Sequence, residues 1–367
     1  MPVERGKENI FGGPTKRFFV SMLTRDIELS DAILDLVDNC VDGAMRASRE
    51  EERSEFEAFR DYEARLKIDG TQFQLTDNCG GIPEDYILDA FHLGRPKVDK
   101  DNDLPTIGMF GIGMKRAIFK MANEALVISN TAEAKNSVIY SKGWLDPENE
   151  SWDLPLEKAE PEAGRRGVDI LIDDLKEGIT KTFGRDSYVD GLKHDLSVHF
   201  GYIMQKGFKI FVNDEELKPS TLPLMSSDFE EGQKEGLLPF DFEMTFDDVE
   251  IKVTVGFFRN LVRDEEIDAE AEAATDIDRA GISVVCNDRV VLLSDKSMAT
   301  GWGDGGAPRY HPQFRAIAGL ITLYSADAGK LPLSTTKRGL DASSDVYLTA
   351  RQQLFVVRYF ETEGCLT

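Results

Sequence analysis

The sequence predicts an α+β protein, with helices and strands falling into two successive groups. Three observations carry that expectation. Apolar residues recur near the helical period at Ile33, Leu34, Val37 and Val41. Two alternating stretches flank Asp69-Gly70 in the manner of a β-hairpin. A second series of short apolar strands follows residue 208, and the chain then closes on a helix.

Ser30 and Asp31 stand where capping residues would start the first helix, which runs to about Ala47 and carries Asp35 and Asn39 on one face. In the hairpin, Ala64 to Ile68 and Gln72 to Leu75 alternate apolar with polar, and the second strand delivers Asp77 at its end. Residues 92 to 107 are rich in Gly, Pro, Asp and Lys without periodicity and read as a mobile loop. Gly108, Gly111 and Gly113 then lead into a helix to Ala122, followed by expected strands over 125–129, 137–141 and 168–172. A helical region near 178–205 precedes Phe208 to Val212, taken as the start of the second strand set, with further strands over 249–257, 281–285, 290–293 and 316–324. Capping near Ser343 to Asp345 opens the closing helix, whose apolar positions include Leu348, Leu354, Val357 and Phe360.

With 367 residues and 41% hydrophobic content, the chain can bury a sizeable core in two domains or one large one. No apolar run reaches the roughly 18 residues that cross a bilayer, and Met1 to Lys16 is polar without a signal-peptide core. A cytoplasmic protein without membrane contact is expected. Four cysteines without a CxxC pair, and four histidines, argue against a metal cluster and for reduced thiols. The net charge of -24 argues against a broad basic surface for duplex DNA, leaving only a local patch open. The acidic runs 49–61 and 264–278 read as solvated surface, or less simply as docking segments.

Three segments carry chemistry. An amide oxygen from Asn39 is a hard ligand of the kind magnesium takes beside phosphate oxygens. Asp35, one turn earlier, could orient and deprotonate an attacking water. Asp38 and Asp42 crowd the same helix with negative charge, which calls for a cation or donors nearby. By itself the helix also reads as amphipathic, with its acids facing water. Asp77, before Gly80-Gly81-Ile82-Pro83, could accept a hydrogen bond from an adenine amino group, where guanine presents an acceptor; alone it reads more simply as an ordinary Asp/Gly turn after a strand. The loop Gly108-Met109-Phe110-Gly111-Ile112-Gly113-Met114-Lys115 opens a helix, the arrangement that binds anions through backbone N–H groups and the helix dipole. It lacks the Lys-Ser/Thr ending of a Walker loop and the glycine order of a dinucleotide fingerprint.

In order and spacing, these segments resemble the N-box and the two glycine boxes of the GHKL ATPases, which include gyrase B, MutL, MORC proteins and heat-shock chaperones. The resemblance implies a Bergerat fold over 21–175, a two-layer α/β sandwich with helices over one face of a mixed sheet and an ATP lid at about 92–107. It further implies that Asn39 binds Mg2+, that Asp77 binds adenine, that Gly111, Ile112, Gly113, Met114 and Lys115 bind the phosphates of ATP, and that Gly81, Ile82, Gly108 and Phe110 also contact the nucleotide. Gly164 to Ile170 occupies the place of the family's later Gly-Thr segment, with Val168 where threonine is usual, so no hydroxyl contact is expected there. Ser334-Thr335-Thr336-Lys337-Arg338 resembles the loop by which the second domain of gyrase B and MutL sets a lysine on the terminal phosphate. Lys337 is therefore the candidate sensor, the alternative being a surface lysine in a turn. Gly281 to Leu293 resembles the transducer of MORC-like proteins, which implies a transducer-like domain over 176–342 and a closing helix over 343–367. Thr15 to Phe19 looks like part of an N-terminal arm, residues 1–20.

Two departures from the pattern stand out. Asp35 replaces the glutamate of hydrolytic members and is shorter by one methylene; a displacement of roughly 1.5 Å can cost about a hundredfold in rate. Cys79 replaces a glycine, and with Cys40 it places two thiols near the expected nucleotide, as packing residues. The resemblance implies a slow Mg-ATPase acting as an ATP-gated homodimeric clamp with a separate effector or client protein, in DNA maintenance or defence against foreign DNA. The alternative is a nucleotide-binding regulatory or chaperone-like module with negligible hydrolysis. A histidine kinase is disfavoured, because His92, His194, His199 and His311 lack a dimerisation-helix context.

Overall fold

The computed structural model describes residues 13–49, 53–94, 104–108, 111–222, 224, 239–258, 279–304, 308–311, 314–334, 337 and 339–364. Expectations for Phe110, Thr335, Thr336, Arg338, the loop centre 95–103 and the acidic run 264–278 lie outside the described residues.

The first helices are α1 (Lys16–Arg25) and α2 (Leu29–Ala47). The hairpin follows as β1 (Glu63–Ile68) and β2 (Phe73–Asp77), paired antiparallel with Ile68 opposite Phe73 and Ala64 opposite Asp77. Its alternation sets the layers: Ala64, Leu66, Ile68, Phe73, Leu75 and Asp77 are buried, while Arg65 and Lys67 face out. The chain continues through α3 (Ile87–Phe91), α4 (Gly113–Met121), β3 (Ala122–Asn130), β4 (Lys135–Tyr140), α5 (Lys142–Leu145), β5 (Leu156–Ala159) and β6 (Gly167–Leu175). Helices α6 (Glu177–Phe183), α7 (Asp186–His199) and α8 (Gly201–Gln205) come next, then β7 (Lys209–Val212) and β8 (Glu215–Glu216).

These strands form one eight-stranded sheet in the order β5-β4-β3-β6-β2-β1-β7-β8, antiparallel throughout except for the β1–β7 pair. The segment expected to open the second strand set thus belongs to the first sheet. The local pattern identifies a strand but not its partner, and a parallel partner lies a helical crossover away in sequence. Apolar residues of α2, α4, α7 and α8 share a single core with the buried face of the sheet. Ala32, Ile33, Leu36, Val37, Cys40, Val41 and Ala44 make α2 buried nearly all round. Ser30 and Asp31 already lie inside its first turn, so the helix starts slightly earlier than their capping role predicts.

The stretch expected as an arm is partly helical. Lys16 heads α1 with its ammonium donating to the Trp144 carbonyl at 2.6 Å and the Ser151 carbonyl at 2.8 Å, 3.5 Å from the Trp144 ring centroid. That docking holds α1 on its own chain.

The second sheet comprises β9 (Phe240–Phe246), β10 (Val249–Phe257), β11 (Gly281–Cys286), β12 (Arg289–Asp295) and β13 (Ile317–Tyr324), ordered β12-β11-β13-β10-β9 with only β11–β13 parallel. Helix α9 (Asp345–Gly364) covers it with Val346, Tyr347, Ala350 and Leu354. The turn between β11 and β12 places Asn287 and Asp288 in left-handed backbone, the hairpin geometry such residues favour. It aims Arg289 at Asp38 of α2 and Asn287 at the Thr106 carbonyl of the loop before α4.

Candidate nucleotide-binding site

Helix α2 presents Asp35, Asp38, Asn39 and Asp42 at spacings of three and four, which puts them on one stripe. From Asp31 to Met45 every residue is buried except Asn39, which is exposed. A polar side chain left open in so buried a run points to a ligand face. The open alternative of acids facing water is thereby closed: Asp35 is 2% exposed and Asp38 fully buried.

Each acid is satisfied differently. Asp42 accepts the backbone N–H groups of Ile107 at 2.8 Å and Gly108 at 2.9 Å, so it fixes the entry to the glycine loop. Burial raises its carboxyl pKa, against the pull of Lys337 and the Ile107 amide. Asp38 accepts from Arg289 Nε and from Lys337 Nζ, each at 2.9 Å. Burial pushes its carboxyl up, but the two cations outweigh this and hold it below the ordinary value. Asp35 pairs with Arg116 through Oδ2, while its Oδ1 lies 3.4 Å from Lys337 Nζ. For Lys337, burial alone would lower the ammonium pKa, and the charges of Asp38, Asp35 and Asp42 together raise it. Lys337 is also a non-glycine residue in left-handed backbone (φ 53), a strain of order 1 kcal/mol that persists where partners fix the side chain.

Asp77 ends β2 with one carboxylate oxygen accepting from Cys79 N at 2.8 Å and Val168 N at 3.2 Å. Burial raises its pKa. Val168 therefore serves through its backbone, not through the side chain that replaces threonine. Gly167, just before it, is required by closeness: a Cβ would fall 2.0 Å from the Asp77 carbonyl oxygen. Gly81 has a left-handed backbone (φ 79), and its Cβ would strike the Asn130 carbonyl at 2.5 Å. Its missing side chain thus admits backbone rather than opening the cavity.

A cavity of about 160 Å³ joins these groups, with Leu75, Ile82, Met114, Val168 and Ile170 among its apolar walls. Asp35, Asn39, Asp77, Gly81, Gly108, Gly111, Ile112, Gly113, Lys115 and Lys337 line it too, so the structure brings together every described residue proposed from sequence. Helix α4 starts at Gly113 against α2, where a Cβ would meet that of Asp35 at 3.2 Å. Lys115 donates to the Ala90 carbonyl at 2.7 Å, and burial pushes its pKa down to about 8. The Gly108 and Ile82 N–H groups, by contrast, are already given to Asp42 and to Ser129 Oγ.

Sequence reasoning missed Arg116 and the backbone of Val168, and saw Arg289 and Asn287 only as part of a strand turn. A second cation directly after Lys115 in a strongly acidic chain was the available signal for Arg116. Asn287 is fully buried, exchanges hydrogen bonds with Ser325 and donates to the Thr106 carbonyl at 3.1 Å, tying the second sheet to the trailing end of the loop.

Residues 27–165 match the model of the family described as histidine kinase-, DNA gyrase B-, and HSP90-like ATPase. That match supports assigning this segment to the GHKL ATPases. The GHKL-type domain in turn supports ATP binding, and the mixed α/β architecture with a further α/β domain behind it is consistent with that assignment. No curated protein matches the chain. The donor set fits ATP with magnesium: an open amide oxygen at Asn39, a helix N-terminus with Lys115, and a buried carboxyl at Asp77 between apolar walls. Among the described residues no group of three or more His, Cys, Asp or Glu side chains could hold a metal. No described helix is long and apolar enough to cross a membrane.

Proposed function

We propose that this chain is a slow Mg-ATPase whose nucleotide occupancy is communicated to its second domain, so that it works as an ATP-gated dimerising clamp. The observation that carries the reading is Lys337, delivered from the region of the second sheet onto Asp35 and Asp38 at the cavity wall. In this reading Asp77 receives the adenine amino group, the start of α4 and Lys115 receive the phosphates, and Lys337 contacts the terminal phosphate. Asn39 holds Mg2+, which when bound supplies a Lewis acid to the phosphate oxygens. Asp35 orients water and accepts its proton. Phe18 and Met22, one turn apart and exposed on α1, offer apolar surface for a second copy. The family resemblance to MORC-like proteins suggests a client in DNA maintenance or defence, with a separate effector protein; the acidic charge opposes unaided DNA binding.

A second reading, a nucleotide-binding switch with negligible turnover, is favoured by the engagement of both Asp35 oxygens with cations. Steady-state hydrolysis by wild type, Asp35→Ala and Asn39→Ala, with nucleotide binding measured in parallel, separates the two. Turnover abolished in both variants supports the ATPase; tight binding without turnover in wild type supports the switch. Light scattering with a non-hydrolysable ATP analogue tests the clamp, which an unchanged monomer would rule out.

A further inference from the structure

The buried charges on α2 do not all have the same partners. Lys337 is shared between Asp35 at 3.4 Å and Asp38 at 2.9 Å, and it comes from far along the chain. Arg116 comes from α4 itself, three residues after the Gly113 that packs on Asp35, and pairs with Asp35 through the other oxygen. Both the Arg116 and Asp35 side chains are at most 5% exposed, and both residues line the cavity. Asp38 has a second counter-ion of its own in Arg289.

We propose that Arg116 is the fixed counter-ion of Asp35, and that by holding this carboxylate it keeps Lys337 exchangeable, so that the site distinguishes a nucleoside triphosphate from a diphosphate. The inference rests on the nucleotide-binding reading above and deepens it. A carboxylate at the cavity wall repels a polyphosphate and competes with it for any nearby ammonium. With Arg116 in place, Asp35 stays compensated when Lys337 turns to another anion, just as Asp38 stays compensated by Arg289. Without Arg116, Lys337 becomes the sole strong partner of Asp35 and is withheld from a third phosphate. The guanidinium suits this task because it stays charged and grips a carboxylate in a fixed geometry, which an ammonium does less well.

The test is equilibrium binding of ADP and of the β,γ-imido analogue of ATP to wild type, Arg116→Gln, Arg116→Lys, Asp35→Asn and the double variant Asp35→Asn/Arg116→Gln. The expected result is a Kd for the analogue raised about tenfold in Arg116→Gln with ADP binding changed by less than about threefold, a coupling of ordinary size for contacting charges. Arg116→Lys falls between. Asp35→Asn tightens the analogue, and adding Arg116→Gln to it changes the analogue-to-ADP ratio no further. This last comparison also covers a poorly folded Arg116→Gln, since the double variant buries no unpaired charge at this pair. Equal losses for ADP and the analogue, an unchanged ratio in Arg116→Gln, or an additive double variant each overturn the proposal. A wild-type chain that binds neither nucleotide instead overturns the functional reading beneath it.

Discussion

Removing the carboxylate of Asp38 tests how the second domain is held. Asp38 is fully buried, and Arg289 and Lys337, both nearly as buried, donate to its two oxygens at 2.9 Å. Deleting one partner of a buried pair strands the other charge and costs about 3–5 kcal/mol. Two cations are affected here, but the loss is not doubled. Lys337 keeps Asp35, while Arg289 keeps its bond to the Val290 carbonyl and its place over the Phe200 ring. We therefore expect Asp38→Ala to lose about 3 kcal/mol, a large share of the roughly 5–15 kcal/mol that stabilises a typical protein. Urea unfolding followed by tryptophan fluorescence reads the change. The folded-state pKa of Asp38 lies below its unfolded value, so this stabilisation is present above about pH 4 and is lost as pH falls through the folded value. An apolar replacement of Asp38 and Arg289 together, Asp38→Leu with Arg289→Met, should cost less than Asp38→Ala alone, because the Arg289 charge is no longer stranded and Lys337 keeps Asp35. A loss under about 1 kcal/mol for Asp38→Ala, or additive losses in the pair, would refute the assignment of Asp38 as the tie between the sheets.

Lys115 gives a second pH signature. Its pKa of about 8 lies below the unfolded 10.5, so the unfolded chain binds more protons between those values and stability should rise with pH across that window, a rise that Lys115→Met abolishes in thermal melts at pH 8 and 10. Nucleotide binding should move the other way, weakening as Lys115 loses its charge above pH 8, whereas a Lys115→Met chain binds equally at pH 7 and 9. Gly167→Ala puts a methyl group where the Asp77 carbonyl oxygen lies, so we expect a loss of about 1–3 kcal/mol by unfolding and weaker binding of adenine nucleotides as Asp77 shifts. Lys16→Ala removes one buried and one partly buried hydrogen bond and a ring contact, and should release α1, seen as faster proteolysis near residues 16–25 with the nucleotide affinity unchanged.

What was legible in the sequence was local. The helical period around Val37, the turn at Asp69-Gly70 and the glycines before Lys115 each act through neighbours within a few residues, and the structure places α2, the first hairpin and the start of α4 accordingly. The demand for donors around Asp38 and Asp42 could likewise be read from charge crowding, but not which donors would meet it. Arg289 reaches Asp38 across 251 positions and Lys337 across 299, distances over which periodicity carries no information. Edge strand β5 escaped because three of its four residues are exposed and no apolar alternation marks it. Strand β9 did carry a signal, the alternation of Phe240, Phe242, Met244 and Phe246.

Three of the four aspartates of α2 show how so acidic a helix can be so deeply buried. Asp42 is satisfied by the backbone of the glycine loop, Asp38 by two cations from beyond residue 280, and Asp35 by one cation from α4 and one from Lys337. Each carboxylate thus ties α2 to a different element around the cavity: the loop at Ile107 and Gly108, the second domain and helix α4. Buried carboxylates are costly unless paired, so none of these ties can shift without its acid finding another partner. A polyanion entering the cavity competes for those same cations. In the function proposed above, that competition is the route from occupancy to domain position, and Lys337 is the point at which ligand and second domain meet.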